Sequence, residues 1–478
     1  MIRIKKSEGL LSIITLGFFS VYIIIYSLVS NETMNIDITY FLSFTGTCIY
    51  LGCIYYWFKK TRKIVDLYTI FITLFFLFNF GQCFLWVFNI HSVSEIGVGK
   101  TFGIYIQKKN IILAQLFTLI CLISFHYGAV LSIYNIKKKD ETIKTNEYTE
   151  NNYKKNMRIF CRILLIFVVP ITYYIQYKKI VLSMQYGYGY LFGGEISFGK
   201  IALISRLFFP CIYGLLFASD FKKSTVIWCY ILCGINFIMS LLMGTRGSVV
   251  YELLIILFLH NRYVRKINLK NIFIYFTGFF IILSLFSTVK NSRDYGVDIG
   301  KLSNLMSFEN NVISDSIFEM GGSMGIQCIL IQNGNMIYPY GNTFLLGLLG
   351  IMSEKVVGLL NNNYLDLNTW FSTNYLDIDY GAGFTMVGEV ILNFGPIIGP
   401  IIMAIVGFLI TKITVIYDGK SYAKTVFSLI TFDVFVMFIR GTFGYYIKYW
   451  AWLIIMFYGT FYVFNLIMNS KKGVVDNE

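Results

Sequence analysis

The sequence predicts an all-α polytopic membrane protein. Hydrophobic residues make up 56% of its 478 positions and charged residues only 14%, whereas soluble chains contain about 25% charged residues. The apolar residues are grouped into long runs, and a bilayer core of about 30 Å is crossed by about 20 helical residues. Together these observations exclude a soluble globular protein and a disordered chain.

Apolar runs of suitable length occur at twelve places, and we predict one transmembrane helix from each. They begin at Gly9, Ile38, Leu67, Ile111, Ile159, Ile201, Ser224, Gly247, Asn271, Phe384, Thr425 and Tyr449. The first run follows a short basic segment and has no small-residue cleavage site after it, which indicates an uncleaved signal anchor. The nine cysteines show no CxxC or Cys/His spacing, so we expect packing roles for them rather than a zinc site or disulfides.

The basic residues predict the orientation. With the N-terminus in the cytoplasm, roughly two thirds of the 40 lysines and arginines fall on the cytoplasmic side, as the positive-inside rule requires. Both termini are therefore predicted to be cytoplasmic. The net charge of +14 then faces anionic lipid, and nucleic acid is not an expected partner.

The predicted organisation has four parts. Residues 1–288 form spans one to nine, with a charged cytoplasmic linker at 137–158 that we expect to be flexible. Residues 289–383 form one large extracytoplasmic loop, 384–470 form spans ten to twelve, and 471–478 form a cytoplasmic tail. A loop of that length in a compact protein usually has a function.

The large loop contains one predicted amphipathic helix and no histidine. Helical spacing over 307–330 predicts a helix that lies near the outer membrane interface. The three histidines, His91, His126 and His260, all lie outside the loop. An imidazole base at the large loop would therefore require the His91 side chain to approach the loop from another part of the chain.

Charged groups inside apolar spans cost about 2.5–3.5 kcal/mol each on insertion scales, which makes each one a candidate for function. Six stand out: Arg206, Arg246, Glu252, Glu389, Asp433 and Arg440. Glu252 is expected to pair with a nearby arginine. Asp433 is a possible proton-relay acid, which would suit a transporter.

The arginines are concentrated at the outer side of the predicted topology. Arg206, Arg246 and Arg440 lie at the outer ends of spans, and Arg293 begins the large loop. The positive-inside rule disfavours arginine there, and the planar guanidinium group matches phosphate oxygens. Glycines beside Arg246 would let a phosphate approach the N-terminus of a helix, which favours anions. The alternative is that these arginines only extend their charge from helix ends into water.

Six motifs, in this order along the chain, resemble those of the bacterial O-antigen and capsule repeat-unit polymerases (Wzy type). They are MGTRGSVV (243–250), SRDYG (292–296), FEMGGSMG (318–325), YPYGNTFLLGLLG (338–350), GAGFTMVGEVILNFGPIIG (381–399) and RGTFGYYIKYW (440–450). Members of this family have 11 to 14 spans and one large extracytoplasmic loop. They are similar in fold to the membrane-embedded GT-C glycosyltransferases, so the resemblance implies a GT-C-like fold.

The resemblance also implies a reaction and a location. The family joins polyprenyl-diphosphate-linked oligosaccharides at the outer face of the bacterial cytoplasmic membrane, during lipopolysaccharide or capsule synthesis. A diphosphate is already a good leaving group, so no metal or other cofactor is expected. A chain-length regulator and a flippase are the expected protein partners.

Ten residues are candidates for the site that the resemblance implies. The expected diphosphate ligands are Arg246, Arg293 and Arg440, and Arg206 is a further candidate. The candidate bases are Glu319 first, then Glu389 and Asp294, while Tyr340, Gly341 and Asn393 are expected to shape the substrate site.

Two alternative functions remain open from the sequence. A flippase or other transporter also has about 12 spans, but transporters usually contain two similar halves, and this chain has no evident internal repeat. An O-antigen ligase would use similar parts. The large outer loop favours chemistry at that face.

Overall fold

The computed structural model shows a bundle of helices. It describes residues 6–31, 37–96, 103–136, 147–186, 198–199, 201–243, 246–266, 312–334, 338–360, 363–378, 382–415 and 422–475. The helices α1 to α18 are, in chain order, Lys6–Ser30, Thr39–Thr61, Leu67–Trp86, Lys108–Ile136, Glu147–Tyr186, Ile201–Ser205, Phe208–Ala218, Lys223–Met243, Arg246–Leu259, Val312–Met320, Ser323–Gln332, Thr343–Leu349, Glu354–Leu360, Leu367–Thr369, Met386–Thr414, Tyr422–Phe438, Phe443–Ile454 and Thr460–Val475.

Within these ranges, nine helical segments are long and apolar enough to cross a membrane, which confirms a polytopic membrane protein. Two further predicted spans correspond to shorter helices, since α9 has 14 residues and α16 has 17. The predicted span from Asn271 lies outside the described residues. The total of twelve spans, the large outer loop, the GT-C-like fold and the orientation of the termini stay predictions.

The predicted flexible linker at 137–158 is wrong in its second half. Residues 137–146 lie outside the described ranges, but α5 already begins at Glu147 and runs for 40 residues. Tertiary contacts hold this part in place: the Arg158 Nε donates to the carbonyl of Ala218 over 2.9 Å, and Lys154 pairs with Asp220 at 2.8 Å. Charge alone therefore did not make the segment flexible.

Helices α3 and α4 are the most buried of the candidate spans in the described part of the chain, and α15 packs against α4. Helix α3 is buried on nearly all sides, as expected for a helix that is apolar all round. Helices α4 and α15 cross so closely that a Cβ atom on Gly128 would lie 1.8 Å from the carbonyl oxygen of Ala404. This crossing fixes α15, which carries two of the predicted site residues.

Helix α15 is broken after its second turn. Gly395 has φ +68°, and the following Pro396 has no N–H to continue the helical hydrogen bonds. The Tyr22 hydroxyl donates to the Pro396 carbonyl over 2.9 Å. The break separates a short first segment, which carries Glu389 and Asn393, from the long second one.

The predicted amphipathic helix at 307–330 is wrong as a single interfacial helix. Residues 312–332 form two helices, α10 and α11, and residues 323–330 of α11 are all buried. The Gln327 side chain accepts from Thr118 over 2.6 Å and donates to Asn79 over 2.9 Å. Asn79 also accepts from the hydroxyl of Thr385 over 2.6 Å. This network joins α11 to α3, α4 and the start of α15, because buried polar groups need partners.

Candidate active site

A cavity of about 510 Å³ lies between α12, α13, the start of α15 and α17. Cationic, acidic and aromatic side chains all reach its wall. Those that matter here are Arg206, Asp366, Glu389, Lys448, Tyr449 and Trp452. We refer to it as the larger cavity, because it is the larger of the two cavities whose walls contain predicted site residues. Its mixture of groups suits a ligand that is partly charged and partly a sugar.

Arg206 lies between α6 and α7 and stacks on an aromatic ring. Its guanidinium carbon is 4.6 Å from the centre of the Tyr449 ring. Stacking uses the face of the guanidinium group and leaves its N–H groups in the plane, where they can bind phosphate oxygens. Among the described side chains no carboxylate forms an ion pair with Arg206.

Glu389 is fully buried and joins three helices. One carboxylate oxygen accepts from the Thr343 hydroxyl, and the other accepts from the Phe443 N–H over 2.6 Å. Thr343 and Phe443 are the first residues of α12 and α17. A helix N-terminus has unpaired N–H groups and favours negative charge. The carboxylate is therefore held by the fold and faces the cavity at the same time.

Asn393 lies one turn after Glu389 and supports it. Its side-chain nitrogen donates to the Glu389 carbonyl over 2.7 Å and to the Thr343 hydroxyl over 2.8 Å. Its side-chain oxygen accepts from the Thr343 N–H over 2.7 Å. The spacing of four residues places Glu389 and Asn393 on one helical face, and these contacts make Asn393 a positioning residue.

Tyr340 and Gly341 belong to a tight turn next to the larger cavity. The Gly341 N–H donates to the Tyr338 carbonyl over 3.3 Å, and Gly341 has φ +100°. The Tyr340 hydroxyl donates to the Asn363 carbonyl over 2.6 Å. Burial, with the nearby Tyr364, raises the pKa of Tyr338, so its hydroxyl stays protonated and serves as a donor. Tyr338 and Tyr364 reach the cavity wall, with Tyr340 packed between them.

A second cavity, of about 310 Å³, is lined by two other predicted site residues. Glu319 and Arg440 both line it, together with Glu95 and Phe318. The Arg440 guanidinium carbon lies 5.8 Å from the centre of the Phe78 ring. We refer to it as the smaller cavity.

His91 reaches the edge of the smaller cavity. Its ring stacks on Phe318 with the ring centres 4.2 Å apart, and Phe318 precedes Glu319. The His91 Nδ1 lies 3.0 Å from a carboxylate oxygen of Glu95. His91 therefore does approach the segment 289–383, which the sequence had left open.

The predicted arginines do not form one cluster in the described structure. Arg206 lines the larger cavity and Arg440 lines the smaller one. The turn that leads from Arg440 into α17 separates the two cavities, since Thr442, two residues after Arg440, lines the larger one. Arg246 begins α9, but its side chain lies outside the described part. Arg293 and Asp294 lie wholly outside it.

Three residues of the larger cavity were missed in the sequence. Lys448, Tyr449 and Trp452 lie within or just after the motif RGTFGYYIKYW, and Trp452 follows the other two by four and three residues, the spacing of one helical face. That periodicity was the available signal. Asp366 was also missed; its side chain accepts from the Asn368 and Thr369 N–H groups and caps α14.

Comparison with known proteins identifies one protein family that the chain matches. The family described as O-antigen polysaccharide polymerase Wzy matches residues 10–472, nearly the whole chain. No curated protein and no solved structure matches the chain. The chain belongs to the O-antigen polysaccharide polymerase (Wzy) family, and it is a multi-pass membrane protein.

Proposed function

We propose that the protein polymerises oligosaccharide repeat units that are linked to polyprenyl diphosphate. The growing chain moves from its lipid carrier to the terminal sugar of a fresh lipid-linked unit, at the outer face of the cytoplasmic membrane. One observation carries the proposal beyond family membership. Two cation-lined cavities flank the short turn from Arg440 to Thr442, and the reaction uses two diphosphate-linked substrates.

The chemistry of the two substrates decides which cavity each one takes. In the donor, the reacting anomeric carbon is bonded directly to the diphosphate, so cation and base must lie close together. The smaller cavity has this combination in Arg440 and Glu319. In the acceptor, the reacting hydroxyl is on the terminal sugar, several sugars from its own diphosphate. The larger cavity suits the acceptor.

In the smaller cavity the reaction needs one base and one cation. Glu319 takes the proton of the acceptor hydroxyl as that oxygen bonds to the anomeric carbon. The bond from this carbon to the phosphate oxygen breaks, and its electron pair leaves with the diphosphate. Arg440 stabilises the charge that develops there. His91, held by Glu95, is the second candidate for the base.

In the larger cavity the residues bind and orient the acceptor. Arg206 and Lys448 attract the acceptor diphosphate, and Tyr449 and Trp452 offer rings on which sugars stack. Holding donor and acceptor together makes a large contribution to such a reaction. Glu389 acts here as a positioning residue, because its oxygens are engaged by two helix N-termini.

The remaining predicted residues have roles in the same scheme. Arg246 and Arg293 add to diphosphate binding, and Asp294 is the last of the candidate bases. Tyr340 and Gly341 shape the turn beside the acceptor. Transfer proceeds without a metal ion, since the leaving group is already activated.

The test uses purified protein and a synthetic polyprenyl-diphosphate oligosaccharide, with and without EDTA. The expected result is a ladder of longer lipid-linked glycans that EDTA does not change. Flipping of the lipid without any ladder would identify a transporter instead. A ladder lost with EDTA and restored by a divalent cation would overturn the metal-free mechanism.

A further inference from the structure

Three of the buried side chains in the helix bundle that carry an unpartnered polar atom belong to neighbouring helices. Glu252 of α9, Asp433 of α16 and Tyr213 of α7 are 8%, 5% and 0% exposed. One carboxylate oxygen of Glu252, one of Asp433 and the Tyr213 hydroxyl have no hydrogen-bond partner among the described residues. Buried polar groups are rarely left unpaired in native proteins, and each such case requires an explanation.

The three groups lie together. Helix α16 packs against both α7 and α9. By the rise of about 1.5 Å per residue, Glu252 lies about 9 Å from the start of α9 and Asp433 about 7.5 Å before the end of α16. Glu252 lies within electrostatic range of Asp433. The Tyr213 hydroxyl interacts with both carboxylates and lies near that of Asp433.

Two negative charges at this position would be unstable. A carboxylate buried without a partner pays a large desolvation penalty, and two neighbouring carboxylates cannot easily both ionise. The other titratable or charged groups that interact with this set are Cys233 from α8, Tyr449 from α17 and, through Tyr449, Arg206. Of the described lysines and arginines, none forms an ion pair with either carboxylate.

We propose that Glu252 and Asp433 bind one proton between them and form, with Tyr213, a proton site inside the bundle. A proton fits better than a metal ion, because the described residues contain no group of three or more His, Cys, Asp and Glu side chains that could hold one. The expectation that Glu252 pairs with an arginine finds no support among the described side chains.

The proton site lies behind the wall of the larger cavity. Tyr449 interacts electrostatically with Asp433 and Glu252, and it lines the cavity beneath Arg206. An anion bound at Arg206 adds negative charge near the carboxylates and so favours the protonated form. This coupling rests on the proposed diphosphate binding, whereas the proton site itself does not.

The test is infrared spectroscopy of the purified full-length protein across a pH series, which detects the C=O band of protonated carboxyl groups. Glu252→Gln, Asp433→Asn and the double variant are compared with the wild type, and Asp377→Asn, at an exposed position, is the control. The wild type is expected to show a protonated-carboxyl band at neutral pH that the double variant loses. Each single variant is expected to change the pH at which the band disappears.

A measurement on the unchanged protein covers the case in which a variant fails to fold. Dicyclohexylcarbodiimide, an apolar reagent for protonated carboxyl groups, is expected to label Glu252 or Asp433 in the wild type, with labelling that falls as pH rises. An unchanged band in a folded double variant, or labelling at neither residue, would overturn the proposal. Loss of the band when sodium replaces choline at constant ionic strength would do so as well, by identifying a metal cation as the occupant.

Inorganic pyrophosphate tests the coupling between anion binding at Arg206 and the proton site. Pyrophosphate is expected to move the loss of the band to higher pH in the wild type and to have no effect in Arg206→Gln. No movement in the wild type would overturn the coupling and count against diphosphate binding at Arg206, while a persistent band would still support the proton site.

Discussion

The carboxylate of Glu389 accepts a hydrogen bond from the backbone N–H of Phe443 over 2.6 Å. Phe443 begins α17, and Thr343, which donates to the other oxygen, begins α12. One buried side chain on α15 thus caps α17 and accepts a hydrogen bond from the first side chain of α12. These three helices form much of the wall of the larger cavity, so its shape depends on this carboxylate.

Replacing Glu389 by Gln is expected to destabilise the protein. The amide of Gln places an NH₂ group against one of the two donors, and a buried donor left unsatisfied costs about 1–3 kcal/mol. Thermal unfolding in detergent is expected to show a lower Tm. Thr343→Ser, which keeps the hydroxyl donor, is the matched control and should stay near the wild type. An unchanged Tm with abolished transfer would make Glu389 a base rather than a positioning residue.

Replacing Arg206 by Ala is expected to weaken acceptor binding. Hydrogen bonds to charged groups contribute about 1.5–3 kcal/mol, so KM for the lipid-linked acceptor should rise about 10- to 100-fold, with a smaller change in kcat. Arg206→Lys should restore only part of the affinity, because lysine lacks the planar fork. Arg265→Ala changes an exposed arginine after α9 and serves as the control. Equal KM values for Arg206→Ala and the control would remove Arg206 from the site.

Glu319→Gln and His91→Gln distinguish the two candidate bases of the smaller cavity. Loss of a general base typically slows a reaction about 10²- to 10⁴-fold. We expect this loss in Glu319→Gln, with lipid-linked donor still bound, and a smaller effect in His91→Gln. Single-turnover transfer together with donor binding measures both quantities. The opposite order of effects would assign the base to His91.

Replacing Gln327 by Leu is expected to loosen α11 from the bundle. The change leaves the Thr118 hydroxyl without its acceptor, at a cost of about 1–3 kcal/mol for a buried unsatisfied group, while the Asn79 oxygen keeps only its hydrogen bond from Thr385. The measurement is Tm, followed by protease sensitivity of the region around α10 and α11. Gln185→Leu, at an exposed position on α5, is the control. If both variants unfold like the wild type, the network does not hold α11 in place.

Replacing Gly128 by Val is expected to prevent correct assembly of α4 and α15. The new Cβ would lie 1.8 Å from the Ala404 carbonyl oxygen, and overpacking of backbone against backbone has no easy relief. Gly52→Val on α2, where no atom lies within 4 Å, is the matched control. The yield of monodisperse protein from size-exclusion chromatography measures the effect. Equal yields would show that the two helices can move apart.

Much of the site was predictable where the signal is local in the sequence. The spacing of Glu389 and Asn393 predicted a shared helical face, and a hydrogen bond joins the two residues. The charges at Arg206, Glu319 and Arg440 marked positions that line cavities. By contrast, the residues of α11 looked amphipathic in isolation, yet they are buried, because Gln327 finds partners on α3 and α4 that are about 200 or more residues away in the chain.

Composition and motif order were enough to establish a multi-pass membrane protein and to indicate its family, because apolar run length and residue spacing are properties of the chain itself. The division of the arginines between two cavities, the capping role of Glu389 and the isolation of Glu252 with Asp433 emerged from packing alone. Each depends on which helices meet, and side chains distant in sequence acquire their partners and their electrostatic environment at those contacts.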